Sequence, residues 1–176
     1  MDKPIQLTLI ADIRNIPRSS REMISGYSFR KITKTDRSRL AELYYTVYSR
    51  SIVMGIKTAY TEMDQVFDGV FGELDLEASP VALYAKEIIA SVQTVKQAPW
   101  DFTPSGPFII QVMVHPDHIR LGLAEFLIRM TIKKLSINGY KTAALRVMSD
   151  NEGAVALYKK IGFKPWKTKD DFFNKA

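Results

Sequence analysis

Phe108 to Ala124 constrains this chain more than any other stretch. A short apolar run, Phe108-Ile109-Ile110-Gln111-Val112-Met113-Val114, stops at His115-Pro116. A basic loop with one glycine follows, Asp117-His118-Ile119-Arg120-Leu121-Gly122-Leu123-Ala124, and opens into an amphipathic run from Glu125 to Leu135. The pattern predicts a strand that delivers a tight loop to a helix N-terminus. Free backbone N–H groups and the positive end of a helix dipole converge at such a junction, which makes it a ready anion site. Gly122 and Ala124 carry almost no side chain, so a diphosphate can approach the main chain closely. An ordinary strand-to-helix turn would carry the same residues, so the loop alone does not decide the function.

The remaining segments predict a layered α/β domain. A chain of 176 residues fits one domain, or one domain with an arm. Residues 1–26 read as an N-terminal arm or extra edge strand, with a strand candidate from Leu7 to Ile13 and a polar connector from Asn15 to Ser25. The core domain is expected over 27–176. Tyr27 to Ile32 alternates like a strand. Thr35-Asp36 resembles a helix cap ahead of Leu40, Leu43, Tyr44 and Val47 at helical spacing. A second helical region spans about Ser51 to Phe71, with breaks at Gly55 and Gly69. Val81 to Ala85 and Ile88 to Val95 read as strands about a Lys86-Glu87 turn. Lys96 to Pro107 is a Pro-containing loop that also holds Trp100 and Phe102. A helix from Leu123 to Ile137 stops at Asn138-Gly139, a strand runs from Thr142 to Met148, and a helix from Asn151 to Ile161 stops at Gly162. Phe163 to Thr168 can form a last strand. From Tyr27 the order is β-α-α-β-β-β-α-β-α-β, a mixed sheet with helices.

Composition removes several function classes. The chain contains no cysteine, so disulfides, thiolate metal sites and a cysteine nucleophile are excluded. Two histidines are too few for a histidine-rich metal site, and no metal is expected. No apolar run is long enough to span a bilayer, and the patch from Ile5 to Ile10 is too short for a signal-peptide core. The expected address is cytoplasmic. A formal net charge of +6 favours an acidic partner, either nucleic acid or a phosphorylated cofactor. Lys and Arg are spread along the chain, so the charge is a mild bias.

A second constellation follows Leu145-Arg146-Val147-Met148. In Asn151-Glu152-Gly153-Ala154-Val155-Ala156-Leu157-Tyr158, Asn151 and Tyr158 are two helical turns apart and Ala154 lies between them. An amide and a phenol can therefore look into one groove. A tyrosine at such spacing also commonly packs in a core.

The two segments together resemble the GNAT (general N-acetyltransferase) superfamily. Val114-His115-Pro116 and Arg120-Leu121-Gly122-Leu123-Ala124 look like its pyrophosphate loop. Leu145-Arg146-Val147, Asn151, Ala154, Leu157-Tyr158 and Ile161-Gly162-Phe163 look like its second motif. The resemblance covers Phe108 to Phe163. It implies a splayed sheet, flanked by helices on both faces, that admits acetyl-CoA as co-substrate. Main-chain groups of Val112, Met113 and Val114 would meet the pantetheine arm. Amides of Ile119, Arg120, Leu121, Gly122, Leu123 and Ala124 would hold the pyrophosphate, and Asn151 would hydrogen-bond the cofactor arm. Tyr158 would act as general acid toward the departing thiolate, since a phenol stays protonated at neutral pH.

The chain departs from the family pattern in two places. Ile119 stands where relatives usually place Gln or Arg at the start of the loop. Gln111, which cannot take a proton, stands where many relatives have an acidic residue. His115, His118, Asp101 and a water relay through Gln111 are then candidates for the base, while Glu73 and Asp75 read as surface charges. Gln111, Trp100 and Tyr48 are candidates for the acceptor pocket, with Tyr44, Tyr45, Tyr60 and Phe102 nearby in sequence. Arg146 and Lys141 read as phosphate neighbours or strand-surface charges.

The resemblance implies an acetyl-CoA-dependent N-acetyltransferase acting on a primary amine by direct attack. A backbone N–H near Val114 would stabilise the oxyanion. The partners expected are acetyl-CoA and an amine acceptor, without nucleic acid or membrane, and with a possible homodimer through the arm. A non-catalytic acyl-CoA-binding sensor or structural module would carry the same fold. A nucleic-acid-binding protein would rest on charge alone.

Overall fold

The structure is a computed structural model that describes residues 3–16, 25–48 and 55–166. Most of the connector from Asn15 to Ser25, the start of the helical region expected from Ser51, and the end of the strand expected to reach Thr168 lie outside the described residues. Seven strands form one sheet: β1 (Gln6–Asp12), β2 (Ser28–Lys31), β3 (Pro80–Tyr84), β4 (Glu87–Val95), β5 (Phe108–Val114), β6 (Thr142–Met148) and β7 (Lys164–Pro165). Four α-helices accompany them: α1 (Arg37–Tyr48), α2 (Ile56–Phe67), α3 (Leu123–Ile137) and α4 (Glu152–Ile161). The spatial strand order is β2-β3-β4-β5-β6-β1-β7. β1 pairs with β6 along its whole length, and the two-residue β7 pairs outside it.

Each face of the sheet buries its own helix pair. Leu123, Leu127, Ile128, Ile132 and Leu135 of α3 pack with Tyr158 and Ile161 of α4 against Leu9, Val92, Ile109 and Leu145. Leu40, Leu43 and Tyr44 of α1 pack with Ala59, Met63 and Val66 of α2 against Val81, Ile88 and Met113. The helical spacing of these residues is what turns one stripe of each helix to the sheet. The expected mixed sheet with helices on both faces is thus observed.

Local chemistry moves two boundaries from their expected places. The turn between β3 and β4 is Ala85-Lys86, both with positive φ (48° and 71°), one residue earlier than expected. A two-residue hairpin favours that left-handed pair because its twist matches the strands. The cap of α1 also starts earlier. Thr33 N–H donates to the Asp36 carboxylate at 2.8 Å, and a 3-10 turn, Lys34–Asp36, feeds the helix. Asp36 is buried and held by the Arg30 guanidinium at 2.6 and 2.8 Å. Burial pushes its carboxyl up, but Arg30 and the Thr33 hydrogen bonds bring it below the ordinary aspartate range. α2 fills the interval between Gly55 and Gly69.

The decisive irregularity is in the centre of the sheet. β5 runs parallel to β6, yet the two pair only at Phe108↔Ala144 and Ile109↔Leu145. Ala144 N–H adds a bond to the Pro107 carbonyl at 3.0 Å. On its other edge β5 stays paired with β4, but Gln93 opposes Gln111 while Thr94 opposes Ile109. Ile110 is therefore an extra residue in the ladder, a bulge that bends the strand and raises its twist. The bulge coincides with the point where β5 leaves β6. Beyond it a wedge opens between the two strands, toward Val114 and Met148.

Candidate active site

The wedge collects chemistry from both faces of the sheet. Its wide end lies at the loop after β5. A short 3-10 turn, Pro116–His118, precedes Ile119, and Gly122 caps α3 in a left-handed conformation (φ 87°). Arg120 is also left-handed, at φ 63°. On either side of Arg120, Ile119 and Leu121 are 53% and 47% exposed. Among the described residues, none accepts a hydrogen bond from the amides of Ile119 through Ala124. Five of these six residues, all but Leu121, line one groove of about 350 Å³ at the N-terminus of α3. Gly153 and Leu157 of α4 close its other side.

One carboxylate sits in this groove, and it is neutralised. Glu125, 5% exposed, accepts from Lys160 at 2.8 Å and from Arg129 at 3.1 Å. Lys160 lowers its pKa most, burial opposes, and Arg129 adds to the lowering. The contact also ties α3 to α4. His118 lines the groove, where Tyr27 Oη and His118 Nδ1 share a 2.7 Å hydrogen bond and the Tyr84 ring packs at 5.1 Å. His115 Nδ1 accepts from the Asp117 amide at 3.2 Å and its ring lies 5.7 Å from that of His118. Both histidines are therefore tied to neighbours.

Two tyrosines, Tyr158 and Tyr48, pack on opposite faces of the sheet. Tyr158, on the α3/α4 side, is 7% exposed. Its ring packs edge-on to Phe163 at 6.0 Å, but its hydroxyl has no hydrogen-bond partner among the described residues. Burial pushes this phenol up, and Tyr48 pushes it further. Tyr48 belongs to α1, on the other face of the sheet. Tyr48 stacks on Tyr44 at 4.8 Å. The Tyr44 phenol is pushed up to about 12 by burial, then by Glu62 and Tyr48, against a hydrogen bond with Gln111 that pulls it down.

The residues expected at the site do not all gather at one point. Gln111 lies on β5 past the last residue paired with β6, Tyr48 packs on the α1 side, and Tyr158 packs on the α3/α4 side. Val112 and Val114 turn toward α3, Met113 is buried toward α1, and their main-chain edge facing β6 is past the last paired residue. Asn151 is exposed and caps α4, its Oδ1 accepting from Ala154 N–H at 3.2 Å. Trp100 lies at the closed end of the wedge, 5.7 Å from the Phe108 ring and 5.4 Å beneath the Arg146 guanidinium. Arg146 is therefore beside the aromatic loop and not the loop after β5. Phe102 is 73% exposed and Asp101 is exposed. Glu73 is at the surface, paired with Lys96. Asp75 is not a surface charge: it is 7% exposed, and its carboxylate accepts from the amides of Glu77 and Ala78 at 3.1 Å. Glu62 escapes sequence reasoning. A signal was present, since Glu62 falls within the helical stripe of Ala59, Met63 and Val66.

Among the described residues, no group of three or more His, Asp or Glu side chains could hold a metal, and no helix is long and apolar enough to cross a membrane.

The model of the acetyltransferase (GNAT) family matches residues 40–163. A mycothiol acetyltransferase of Paenarthrobacter aurescens is 46% identical over 57 residues, which is 32% of this chain and 18% of that protein. A GCN5-related N-acetyltransferase from Sphaerobacter thermophilus superposes with a TM-score of 0.70 at 16% identity, over 93% of this chain and 50% of that one. The chain thus spans half or less of the length of these two relatives. An aminoglycoside N-acetyltransferase, AAC(6')-Iy, solved in complex with CoA, superposes with a TM-score of 0.62 at 16% identity, over 87% of this chain and 94% of that one.

Proposed function

The chain belongs to the acetyltransferase (GNAT) family, and on that premise we propose that it moves the acetyl group of acetyl-CoA to a primary amine by direct attack. The observation that carries this reading is the pairing of two features along one wedge. The loop from Ile119 to Ala124, whose amides bond to no described group, stands at its wide end, and the hydroxyl of Tyr158, also unbonded among the described residues, stands farther in. A diphosphate on the loop amides leaves the thioester arm to run along the unpaired edge of β5 toward Gln111. Val112 to Val114 offer it main-chain donors and acceptors, as a strand edge offers them to any extended chain.

In this reading the amine enters from the α1/α2 side, where Tyr44, Tyr48 and Gln111 line the gap. Its nitrogen attacks the thioester carbonyl, and an amide near Val114 stabilises the oxyanion. Tyr158 donates to the sulfur as the C–S bond breaks. The low polarity that raises the phenol also raises the departing thiolate, so the proton transfer is not put out of reach. Asn151 holds the cofactor arm through the amide nitrogen that its capping bond leaves free.

The experiment is thiol release from acetyl-CoA over a panel of amines: a polyamine, an amino sugar, an amino acid, an aminoglycoside and a peptide with a free N-terminus. CoA is titrated calorimetrically in parallel. Heat on titration together with amine-dependent release supports the reading. Heat without release for any amine replaces it with a binding module, and no heat removes it altogether.

A further inference from the structure

Attack on a thioester needs a neutral amine, and a primary amine with a pKa near 10 arrives protonated at neutral pH. Some group has to take that proton. The described carboxylates sort themselves by their neighbours. Asp36, Asp64, Asp68, Glu73, Glu77 and Glu125 are held by Arg or Lys. Glu42 accepts from the Tyr60 hydroxyl, and Asp75 caps two amides. Asp101, Asp150 and Glu152 make no such bond but are exposed. Glu62 alone among the described residues is a half-buried carboxylate with neither a hydrogen bond nor an ion pair.

Its position is equally selective. Glu62 adjoins Met63, whose Sδ accepts from Gln93 Nε2 at 3.4 Å in the layer that also packs Tyr44, and the Tyr44 phenol is raised by Glu62 and lowered by Gln111. Gln111 lies across the ladder from Gln93, whose Oε1 is buried without a hydrogen-bond partner. Tyr44 stacks on Tyr48 at 4.8 Å. Glu62, Tyr44, Tyr48 and Gln111 thus lie on the α1/α2 side of the gap where the proposed thioester carbon would stand.

We infer that Glu62 is the proton acceptor for the incoming ammonium, entering from the α1/α2 side; the inference rests on the transferase reading above. Glu62 takes one proton from R–NH3+, and the freed lone pair bonds to the carbonyl carbon. As the adduct collapses, the C–S bond breaks and the nitrogen loses its second proton. That loss balances the proton the sulfur receives through Tyr158. Glu62 returns its own proton to solvent, so one proton is released per turnover.

The electrostatics around Glu62 agree with this. On α1, which packs against α2, Arg37 is engaged by Asp64 and Asp68, Arg39 by Asp36 and Glu87, and Glu42 by Tyr60. Tyr45 is exposed. On α2 itself Lys57 is exposed and makes no ion pair. Tyr44 and Tyr48 remain as the titratable groups on that side of the gap. Burial accordingly pushes the Glu62 carboxyl above the ordinary glutamate range, closer to the pH at which it must accept a proton.

The test is Glu62→Gln and Glu62→Asp against the best amine of the panel, with CoA affinity by calorimetry and kcat/KM from pH 6 to pH 10. Glu62→Gln is expected to lose roughly a hundredfold at pH 7, within the range for general bases. The loss shrinks as the pH nears the amine pKa, Glu62→Asp recovers part of the rate, and CoA affinity is unchanged. A Glu62→Gln rate within twofold of the wild type, a loss that is the same at every pH, or a loss of CoA affinity overturns the assignment while leaving the transferase reading in place. A wild-type chain that releases no thiol with any amine of the panel removes that reading, and this assignment with it.

Discussion

Tyr158→Phe separates a chemical role for the phenol from a structural one. The substitution removes a single oxygen. That hydroxyl belongs to a residue 7% exposed, yet it bonds to no described group. Buried tyrosine hydroxyls ordinarily find a partner, and losing one costs about 1 kcal/mol or more. Here there is no partner to orphan, and the ring keeps its packing on Phe163. Stability should therefore change by no more than about 0.5 kcal/mol. Turnover should fall by roughly a hundred- to ten-thousandfold if the phenol donates to the sulfur, which is about 3 to 5 kcal/mol of barrier. Urea unfolding, CoA calorimetry and thiol release measure the three quantities independently. A variant that keeps wild-type turnover refutes the acid assignment. One that loses CoA affinity and stability together refutes the view that the hydroxyl is unencumbered.

Two further perturbations test the groove. A Cβ added at Gly153 meets no heavy atom within 4 Å, so Gly153→Leu fits the free chain and gains helix propensity, while its side chain fills the groove opposite the loop amides. Thermal stability should hold or rise, and CoA affinity should drop by roughly tenfold or more, about 1.4 kcal/mol; unchanged affinity moves the diphosphate elsewhere. Glu125→Gln should cost about 1–2 kcal/mol at pH 7 by urea unfolding, less than a fully buried pair because Lys160 is 58% exposed. Since the folded Glu125 carboxyl lies below its unfolded value of about 4.3, its stabilisation is full above that pH and is lost as pH falls through the folded value. The difference between variant and wild type should accordingly shrink in acid, and a gap that persists at low pH would contradict the ion-pair account.

The layered order was legible because its punctuation is local. Asn138-Gly139 ends α3 and Gly162 ends α4, where glycine permits the left-handed turn that stops a helix. The loop before α3 was legible for the same reason, since Gly122 announces a φ that other residues avoid. The errors of one or two residues, at Ala85-Lys86 and at Thr33, arose where non-glycine residues took the turn or the cap. Asp75 was misread because a turn cap and a surface charge look identical without knowledge of what the amides of Glu77 and Ala78 require.

The wedge itself had no such sign, and the reason is the composition of β5. Ile109, Ile110, Val112, Met113 and Val114 are apolar on both faces, as a strand buried between helix layers must be, so no alternation marks a change of side. Strict alternation from Ile109 would turn Gln111 and Met113 toward α3. The extra residue at Ile110 turns Met113 to the α1 side instead, and returns Val112 and Val114 to the α3 side. One inserted residue thus has two consequences. It bends β5 away from β6, and it turns Gln111 to the α1 side, where the proposed acceptor amine would be met. Opening and orientation have a common cause, which is why neither could be read from the motif that borders the gap.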